Sequence, residues 1–493
     1  MTLDGLLAID AGTTNIKALL IDANGDIISK GSYALGVDYP QPGWVEQSPD
    51  EIWNGAREAI ISCFKGAREC RAVALGISNQ RETLVCWSRR DGKPLYPAIV
   101  WQCRRSAEVC DEWKNAKLQD RVQPKTGLQI DPLFPASKIV WLLRHRPEIR
   151  SLLDRGEVCF GTVDSWLVWN LTSGKTFATD VSNASRTQLF NLAKADWDED
   201  QLALCGISRR DLPEIRPSSS TFGEADFGLG YPVKIRGVLG DSHAALLGHG
   251  VTDPGIVKAT YGTGSSLMTL SNETQPDERR ISRTVAWQLD QIRYAYEGNI
   301  TVTGSGVAWA AEFAGEKDLE TIIAQANSLP GNDGIYFVPA LAGLGAPYWN
   351  DRARGAVVGL SFATRKEHLV RAALEAIAFQ VVDVFQAMEE ATGTKLVSLF
   401  TDGGATRNDW LMQFQADVLQ RPVLRSRVPE LSGFGAAVAA AHGLGFWQSP
   451  PRTTATQNDT FQPKMSASVV ADLLRHWRQA VAWVNESSGV QGV

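Results

Sequence analysis

The chain has 493 residues, of which 44% are hydrophobic and 21% charged, and its formal net charge is −6. This length exceeds what one hydrophobic core supports, so we expect two domains of similar size, residues 1–247 and 248–493. The negative charge and the lack of any apolar run near ~20 residues argue against a nucleic-acid or membrane partner.

The first predicted element is a β-hairpin, with apolar strands at 6–10 and 16–22. Its turn is Gly12-Thr13-Thr14-Asn15, and Lys17 follows. The turn offers backbone N–H groups, hydroxyls and an ammonium, which are the donors that the oxyanions of a nucleoside triphosphate need. Asp10, just before the turn, is suited to hold a hydrated divalent cation. An ordinary strand–turn–strand hairpin is the alternative interpretation.

Strands and helices alternate through the rest of the first half. Hydrophobic periodicity predicts strands at 26–33, 73–78, 83–87 and 233–239 and helices at 49–67, 137–145 and 163–171. Arg81 and Glu82, adjacent between two of these strands, offer donors and acceptors that suit the vicinal hydroxyls of a polyol. Trp101 could pack against an aliphatic edge in the same region. A solvated surface ion pair is the alternative for Arg81 and Glu82.

Asp241 is the best candidate for a general base. It follows the strand at 233–239 and precedes a helix of small residues that begins Ser242-His243. A carboxylate at this junction between the halves could accept the proton of an attacking hydroxyl, as phosphoryl transfer to an alcohol requires. Alternatively, Asp241 is the N-cap of the helix.

The hairpin pattern returns in the second half, where a strand enters the turn Gly262-Thr263-Gly264 and a second strand leaves it. Two hydroxyl-rich hairpins, one per half, suggest a nucleotide held between two similar domains. Gly-rich turns at Gly304 and Gly404-Asn408 precede helices and would let a base or ribose approach the backbone; two plain tight turns are the alternative. Further strands are predicted at 292–297 and 396–401, and helices at 304–314, 369–392, 409–419, 433–444 and 466–484.

The sequence lacks the motifs of several common types of functional site. The segment around Gly174-Lys175-Thr176 lacks the first glycine of a P-loop, and neither a GxGxxG after a strand nor an HExxH motif occurs. Seven cysteines lie between Cys63 and Cys205 without metal-site spacing. Residues 1–10 lack a signal-peptide pattern, so we expect reduced thiols and a cytoplasmic protein.

These blocks together resemble the FGGY family of carbohydrate kinases, and within it the glycerol kinases most closely. The blocks that carry the resemblance are ordered along nearly the whole chain: Asp10-Ala11-Gly12-Thr13-Thr14, Asn79-Gln80-Arg81-Glu82-Thr83, Ile99-Val100-Trp101-Gln102, Asp180 to Thr187, Thr260-Tyr261-Gly262-Thr263-Gly264, Gly343 to Trp349 and Asp402-Gly403-Gly404-Ala405. The resemblance implies an α/β fold of duplicated ribonuclease H-like domains, as in actin and hexokinase, with ATP, Mg²⁺ and the acceptor in the cleft between them.

The resemblance also implies roles for individual residues. The general base would be Asp241, and Asp10 would help to place Mg²⁺. The nucleotide would contact Thr13, Thr14, Asn15, Lys17, Thr263, Gly304, Gly404 and Asn408. The acceptor, a small polyol or ketose, would contact Arg81, Glu82, Trp101, Asp241 and Ser242. We also expect a homodimer or a higher homo-oligomer.

Departures from the glycerol kinase pattern concern the acceptor pocket. Leu133 stands where glycerol kinases have a tyrosine, Ser265-Ser266 stands where a Cys-Phe pair is common, and Ser242-His243 replaces paired glutamines. The smaller side chains predict a larger pocket and an acceptor such as erythritol or a pentulose. Two alternatives remain at this stage: a glycerol kinase proper with a rearranged pocket wall, and a non-catalytic, actin-like ATP-binding module.

Overall fold

Two β-sheets with the same strand order organise the protein, one in each half of the chain. The computed structural model describes residues 3–67, 69–271, 280–428, 430–447 and 458–487. Strands of the first half are β1 (Leu3–Ala11), β2 (Asn15–Asp22), β3 (Ile27–Ala34), β4 (Glu46–Gln47), β5 (Cys70–Asn79), β6 (Leu84–Ser88), β7 (Pro94–Ile99), β8 (Val158–Gly161), β9 (Ala178–Asp180), β10 (Phe190–Asn191), β11 (Asp196–Trp197), β12 (Glu214–Arg216), β13 (Gly223–Ala225) and β14 (Val233–Gly240). Strands of the second half are β15 (Ile256–Tyr261), β16 (Ser265–Ser271), β17 (Ser282–Gln288), β18 (Ile292–Ile300), β19 (Tyr336–Val338), β20 (Ala356–Val358), β21 (Ser398–Asp402), β22 (Val423–Arg425) and β23 (Asp459–Phe461).

Helices cover the faces of both sheets. Those of the first half are α1 (Pro49–Lys65), α2 (Ala107–Asn115), α3 (Gln119–Thr126), α4 (Pro135–His145), α5 (Pro147–Asp154), α6 (Val163–Leu171), α7 (Val181–Ala184), α8 (Glu199–Cys205) and α9 (Asp241–Gly248). Those of the second half are α10 (Gly304–Phe313), α11 (Leu319–Ser328), α12 (Lys366–Thr392), α13 (Asp409–Leu419), α14 (Leu431–Leu444) and α15 (Ala467–Ser487). Short 3₁₀ turns occupy Arg209–Asp211 and Gly404–Arg407.

The strand order confirms the duplication that the repeated hairpin predicts. In the first sheet the order is β13-β14-β5-β1-β2-β3, and in the second it is β17-β18-β16-β15-β21-β22-β23. Each begins with an antiparallel hairpin, β1–β2 or β15–β16, and continues with two parallel strands, β5 and β14 or β21 and β22. An antiparallel strand, β13 or β23, then pairs with the last parallel strand.

Local sequence signals explain where the elements lie. α1 begins where Ser48 caps the helix by accepting the Glu51 N–H, with Pro49 at its first position, and it ends at Gly66. The strands and helices predicted from periodicity all occur, with their ends shifted by a few residues. Several elements were not predicted, among them helices α2, α3, α5, α8 and α11, strand β17, and the separate sheet β4-β7-β6-β8, in which β6 lies apart from β5.

Helices α9 and α14 lie between the two sheets. α14 is rich in glycine and alanine because its backbone approaches its neighbours closely: a Cβ on Gly435 would lie 1.8 Å from the Ala244 carbonyl oxygen. Although α14 belongs to the second half of the chain, it packs on β14, β5 and β1 of the first sheet, where a Cβ on Gly76 would lie 2.2 Å from the Ala436 oxygen. The division at residues 247 and 248 stays a prediction.

The structure also bears on the state of the cysteines and on the presence of membrane-spanning helices. All seven cysteines are free and buried, in agreement with the reduced thiols that we expect. Among the described residues, no helix is both long enough and apolar enough to cross a membrane.

Candidate active site

The tip of the first hairpin is joined to Trp101. The Thr13 hydroxyl accepts a hydrogen bond from the Trp101 indole N–H at 2.9 Å and donates to Gln80 Oε1 at 3.3 Å. Thr14 and Asn15 are exposed at the turn and bond to each other, Asn15 Nδ2 to Thr14 Oγ1, at 3.2 Å. The structure therefore brings the two predicted groups together: Trp101, predicted to contact the acceptor, also fixes the turn predicted to contact phosphate.

Asp10 and Lys17 face each other across the hairpin as a cross-strand pair. Asp10 Oδ1 accepts from the Ser78 hydroxyl at 3.0 Å, and Ser78 is its partner on the parallel strand β5. Burial and, to a lesser extent, the Asp241 carboxylate raise the pKa of Asp10 to about 6, against the opposing effects of Ser78 and Lys17. Asp10 and Asp241 therefore lie close enough to repel each other, as expected where a cation would bind.

Lys17 already has a protein partner that the sequence did not indicate. Its ammonium lies 2.7 Å from Glu430 Oε2, and Lys30 on β3 pairs with the other oxygen of Glu430. Glu430 directly precedes α14, more than four hundred residues further along the chain. No local pattern could have shown this contact, because it depends on α14 packing against the first sheet.

The predicted acceptor residues form a buried network of charges. Arg81 Nε lies 3.1 Å from Asp241 Oδ1, and Arg81 also pairs with Glu297 at 2.7 Å and more distantly with Glu82 at 3.8 Å. Arg186 joins the same carboxylates, at 2.7 Å from Glu82 and 2.9 Å from Glu297. Arg81 and Glu82 are each 5% exposed, so the alternative of a solvated surface pair is wrong.

Two members of this network, Arg186 and Glu297, were not predicted as site residues. Both are fully buried. The two arginines hold the pKa of Glu297 far below its usual range, although burial alone would raise it. Arg186 lies in the block Asp180 to Thr187, one of the blocks that carry the family resemblance. Its place in that block could have marked it as a candidate site residue. Glu297 lies mid-strand in β18 and carries no such signal.

Asp241 is the member of the network that remains open to solvent, with 37% of its side chain exposed. It is the first residue of α9, and Gly240 is the N-cap, so the alternative that Asp241 caps the helix is wrong. Its Oδ1 accepts from the Ser242 backbone N–H at 2.6 Å. Burial raises the pKa of Asp241, and Arg81 opposes the shift. Ser242 itself is buried beside it.

Leu133 and Ser266, the two substituted wall positions, border the same network. The Leu133 carbonyl accepts from the Lys138 ammonium at 2.8 Å, and Lys138 also donates to the Glu82 carbonyl at 2.7 Å. The Ser266 hydroxyl donates to Glu297 Oε1 at 2.7 Å. Ser266 therefore contacts a residue that pairs with Arg81, whereas Leu133 is linked to Glu82 only through Lys138.

The second hairpin lies against the start of α10. The Thr263 carbonyl accepts from the Ser305 hydroxyl at 2.9 Å, and the Gly304 N–H donates to the Gly262 carbonyl at 3.1 Å. A Cβ on Gly304 would lie 2.7 Å from that oxygen, so the close approach requires glycine. The structure thus joins Thr263 and Gly304 into one surface.

Gly404 and Asn408 bracket a 3₁₀ turn beside this hairpin. The preceding Gly403 has φ +98, and a Cβ there would lie 2.4 Å from the Tyr261 carbonyl at the end of β15. Gly404 faces open space: a Cβ on it would have no neighbour within 4 Å. Asn408 is the N-cap of α13 and accepts from the Leu411 N–H at 3.2 Å. The helix cap thus explains the hydrogen bond of the Asn408 side-chain oxygen. The open space beside Gly404 leaves room for a flat group.

Comparison with known proteins identifies the family. The model of the FGGY family of carbohydrate kinases matches residues 6–248 with its N-terminal domain and residues 257–444 with its C-terminal domain. The chain belongs to the FGGY family of carbohydrate kinases. It is a phosphotransferase, and the predicted family and enzyme class are confirmed.

Individual relatives of this kinase match over nearly their full lengths. An apulose kinase of Pectobacterium atrosepticum is 45% identical, covering 97% of both chains, and a glycerol kinase of Carboxydothermus hydrogenoformans is 43% identical, covering 99% of both. The crystal structure of Plasmodium falciparum glycerol kinase with ADP superposes with a TM-score of 0.90 at 32% identity, covering 98% of both chains. The predicted duplicated actin- and hexokinase-like fold is confirmed.

The residues around Asp10 suit a magnesium ion that is held mainly by nucleotide phosphates. Within the described ranges, no three His, Cys, Asp or Glu side chains cluster as metal ligands. Mg²⁺ in phosphoryl-transfer enzymes commonly takes one or two carboxylates and completes its shell with phosphate oxygens and water. The Asp10 carboxylate, whose pKa is raised by burial and by the nearby Asp241 carboxylate, fits such an ion, which would supply charge neutralisation when bound.

Proposed function

We propose that this kinase transfers the γ-phosphoryl group of ATP to a terminal hydroxyl of a small polyol or ketose, with Asp241 as the general base. The observation that carries the proposal is the position of Asp241. It is the solvent-open carboxylate of an otherwise buried network, oriented by Arg81 at 3.1 Å and by the Ser242 N–H at 2.6 Å. A base fixed in this way can accept a hydroxyl proton as the oxygen attacks phosphorus.

The nucleotide would lie between the two hairpins. We assign its phosphates to the turn Thr13 to Asn15 and Lys17, and to Thr263 on the other side. The nucleoside would contact Gly304, Gly404 and Asn408, and Mg²⁺ would contact Asp10. Supporting this assignment are the joined surface of Thr263 and Gly304 and the open space beside Gly404.

The acceptor would contact Arg81, Glu82, Trp101 and Ser242 and would be larger than glycerol. Leu133 and Ser266 border the charged network. Leu133 lacks the ring and hydroxyl of a tyrosine, and Ser266 lacks the ring of a phenylalanine, so we expect a wider pocket than in a glycerol kinase. A relative at 45% identity is named apulose kinase, so a sugar kinase stands among the relatives beside the glycerol kinases. We therefore favour four- and five-carbon polyols and ketoses.

Glycerol kinase proper is the second candidate, because several relatives at 43–44% identity carry that name. A non-catalytic ATP-binding module is not supported, because the family that matches consists of carbohydrate kinases. We also propose that the two domains divide between residues 247 and 248. The enzyme would associate as a homodimer or a larger homo-oligomer. Light scattering of the purified enzyme tests the oligomeric state.

The decisive experiment measures ADP release with Mg-ATP against glycerol, erythritol, the pentitols, the common ketopentoses and apulose. We expect the highest kcat/KM with a four- or five-carbon compound and negligible ADP release without acceptor. A wide preference for glycerol would contradict the enlarged pocket and leave the kinase assignment intact. ATP turnover that does not respond to any acceptor would contradict the proposed reaction.

A further inference from the structure

Glu430 is a buried acid that the proposed chemistry does not use. Its residue is 7% exposed, and its two carboxylate oxygens are held by two lysines of the other half of the molecule: Oε2 by Lys17 at 2.7 Å and Oε1 by Lys30. It immediately precedes α14 but makes no side-chain capping bond to that helix. The carboxylate therefore serves the first hairpin and not its own helix.

The start of α14 lies directly on the functional face of that hairpin. A Cβ on Gly433 would lie 3.7 Å from the Asp10 Cβ and 2.7 Å from the Leu19 side chain. Glu430 is also among the charges that act on Asp10. Lys17 keeps 32% of its side chain exposed, so part of this side chain stays accessible despite the pair with Glu430. An ammonium has three donors, so Lys17 can keep Glu430 and still bind a second group.

We propose that Glu430 is a positioning residue for phosphoryl transfer, which holds the Lys17 ammonium in place so that its free donors face the nucleotide phosphates. This inference rests on the proposed phosphate contact of Lys17. A lysine is a point charge on a flexible four-carbon stem, so it needs an external anchor to hold one position. Glu430 supplies that anchor through Oε2, while its other carboxylate oxygen pairs with Lys30.

Glu430 has two separate effects: its charge acts on nucleotide binding, and its hold on Lys17 acts on the rate of phosphoryl transfer. The group of two lysines and one glutamate has a net charge of +1, so removing the carboxylate strengthens the overall attraction for ATP. Removing it also frees the Lys17 stem, and a misplaced charge stabilises the transition state less than a fixed one. Loss of Glu430 should therefore lower both kcat and the KM for ATP, a combination that simple loss of folded enzyme does not produce.

The test compares Glu430→Met, Lys30→Met and the double variant at saturating acceptor. Glu430→Met removes both acceptor oxygens at similar side-chain length; we expect kcat to fall about tenfold and the KM for ATP to fall. Lys30→Met leaves Glu430 on Lys17 and removes one positive charge, so kcat should be retained and the KM should rise. The double variant has the wild-type net charge; we expect its KM to return towards wild type while kcat stays low.

Recovery of kcat in the double variant would overturn the proposal, since Glu430 would then act by charge alone. Wild-type kcat and KM in Glu430→Met would also overturn it. Glu430→Gln keeps one acceptor oxygen, and we expect an intermediate kcat; it replaces Glu430→Met if that variant does not fold. Lys17→Met separates the two proposals: unchanged kinetics there would refute the phosphate role of Lys17, whereas impaired Lys17→Met with normal Glu430→Met would refute only the anchor.

Discussion

The two hairpins have the same backbone arrangement but carry different side chains. In the first, the pair next to the turn-closing pair is Asp10 opposite Lys17, with Ser78 beside Asp10 on the parallel strand. In the second, the equivalent pair is Thr260 opposite Ser266, with Asp402 beside Thr260. The aspartate and its hydroxyl partner have thus exchanged strands between the halves, and the position of a lysine in one half is taken by Ser266 in the other.

The exchange places the two aspartates in opposite electrostatic surroundings. Burial and Asp241 raise the pKa of Asp10 to about 6. The pKa of Asp402 is lowered despite burial, because Lys258 and His249 favour its ionised form, the latter at 3.0 Å. The duplicated fold therefore disfavours the ionised form of one carboxylate, where a cation and phosphates would bind, and favours the ionised form of the other. Perturbed pKa values of the first kind are typical of functional sites.

The largest effect that we expect is on turnover, from replacing Asp241 at the start of α9 in the first half. Asp241→Asn should lower kcat at least about a thousandfold while the affinity for ATP changes little, because only proton acceptance is lost. Steady-state kinetics and ADP titration measure the two quantities. Asp226→Asn, in an exposed turn, is the matched control and should behave as wild type. Near-normal turnover in Asp241→Asn would remove the assignment of the base.

Asp402→Asn tests whether the second aspartate stabilises the fold. Lys258 is fully buried, and no described atom accepts a hydrogen bond from its ammonium, so it depends on nearby carboxylates such as Asp402. We expect the free energy of unfolding to fall by about 3 kcal/mol at pH 7, measured by denaturant titration. The double variant with Lys258→Met should recover much of that loss. A stable single variant would mean that Asp402 does not compensate Lys258.

Asp10→Asn should have the opposite effect on stability. The folded pKa of about 6 lies above the unfolded value of about 4, so ionised Asp10 lowers stability fully above pH 6 and not at all below pH 4. In metal-free buffer at pH 8 we expect Asp10→Asn to raise the unfolding free energy by about 1–2 kcal/mol, a value discounted for partial exposure. The gain should disappear as the pH falls to 4, and kcat should fall. Destabilisation at pH 8 would contradict the contrast between the two aspartates.

The smallest expected effect concerns Ser266, the counterpart of Lys17. Leu133→Tyr combined with Ser266→Phe should raise the ratio of kcat/KM for glycerol to that for a five-carbon acceptor by about tenfold, because the pocket becomes smaller. Each single variant serves as a control for the other. An unchanged ratio would show that the two positions do not form the pocket wall, and that the second hairpin position is not specialised for the acceptor.

The helices and strands that we predicted followed from the sequence because they depend on local periodicity and turn residues, whereas others, such as α2 and α11, were not predicted. The duplication followed as well, because the same hairpin pattern occurs twice. Strand β17 and the separate sheet containing β6 did not follow, since strand pairing depends on which distant segments meet. Arg81, Glu82 and Asp241 were identified from local motifs, but Glu297 and Arg186, which hold them in place, come from distant elements.

By itself, the sequence determined the family, the repeated hairpins and the residue types of the proposed chemistry, because motifs retain their local spacing. Only the tertiary structure decided which charges meet. It buried Arg81 and Glu82, left Asp241 open, and brought Glu430 to Lys17 across the interface of α14. The position of α14 depends on its close approach to β5 at Gly76 and to α9 at Gly435, a three-dimensional property that one-dimensional spacing does not contain.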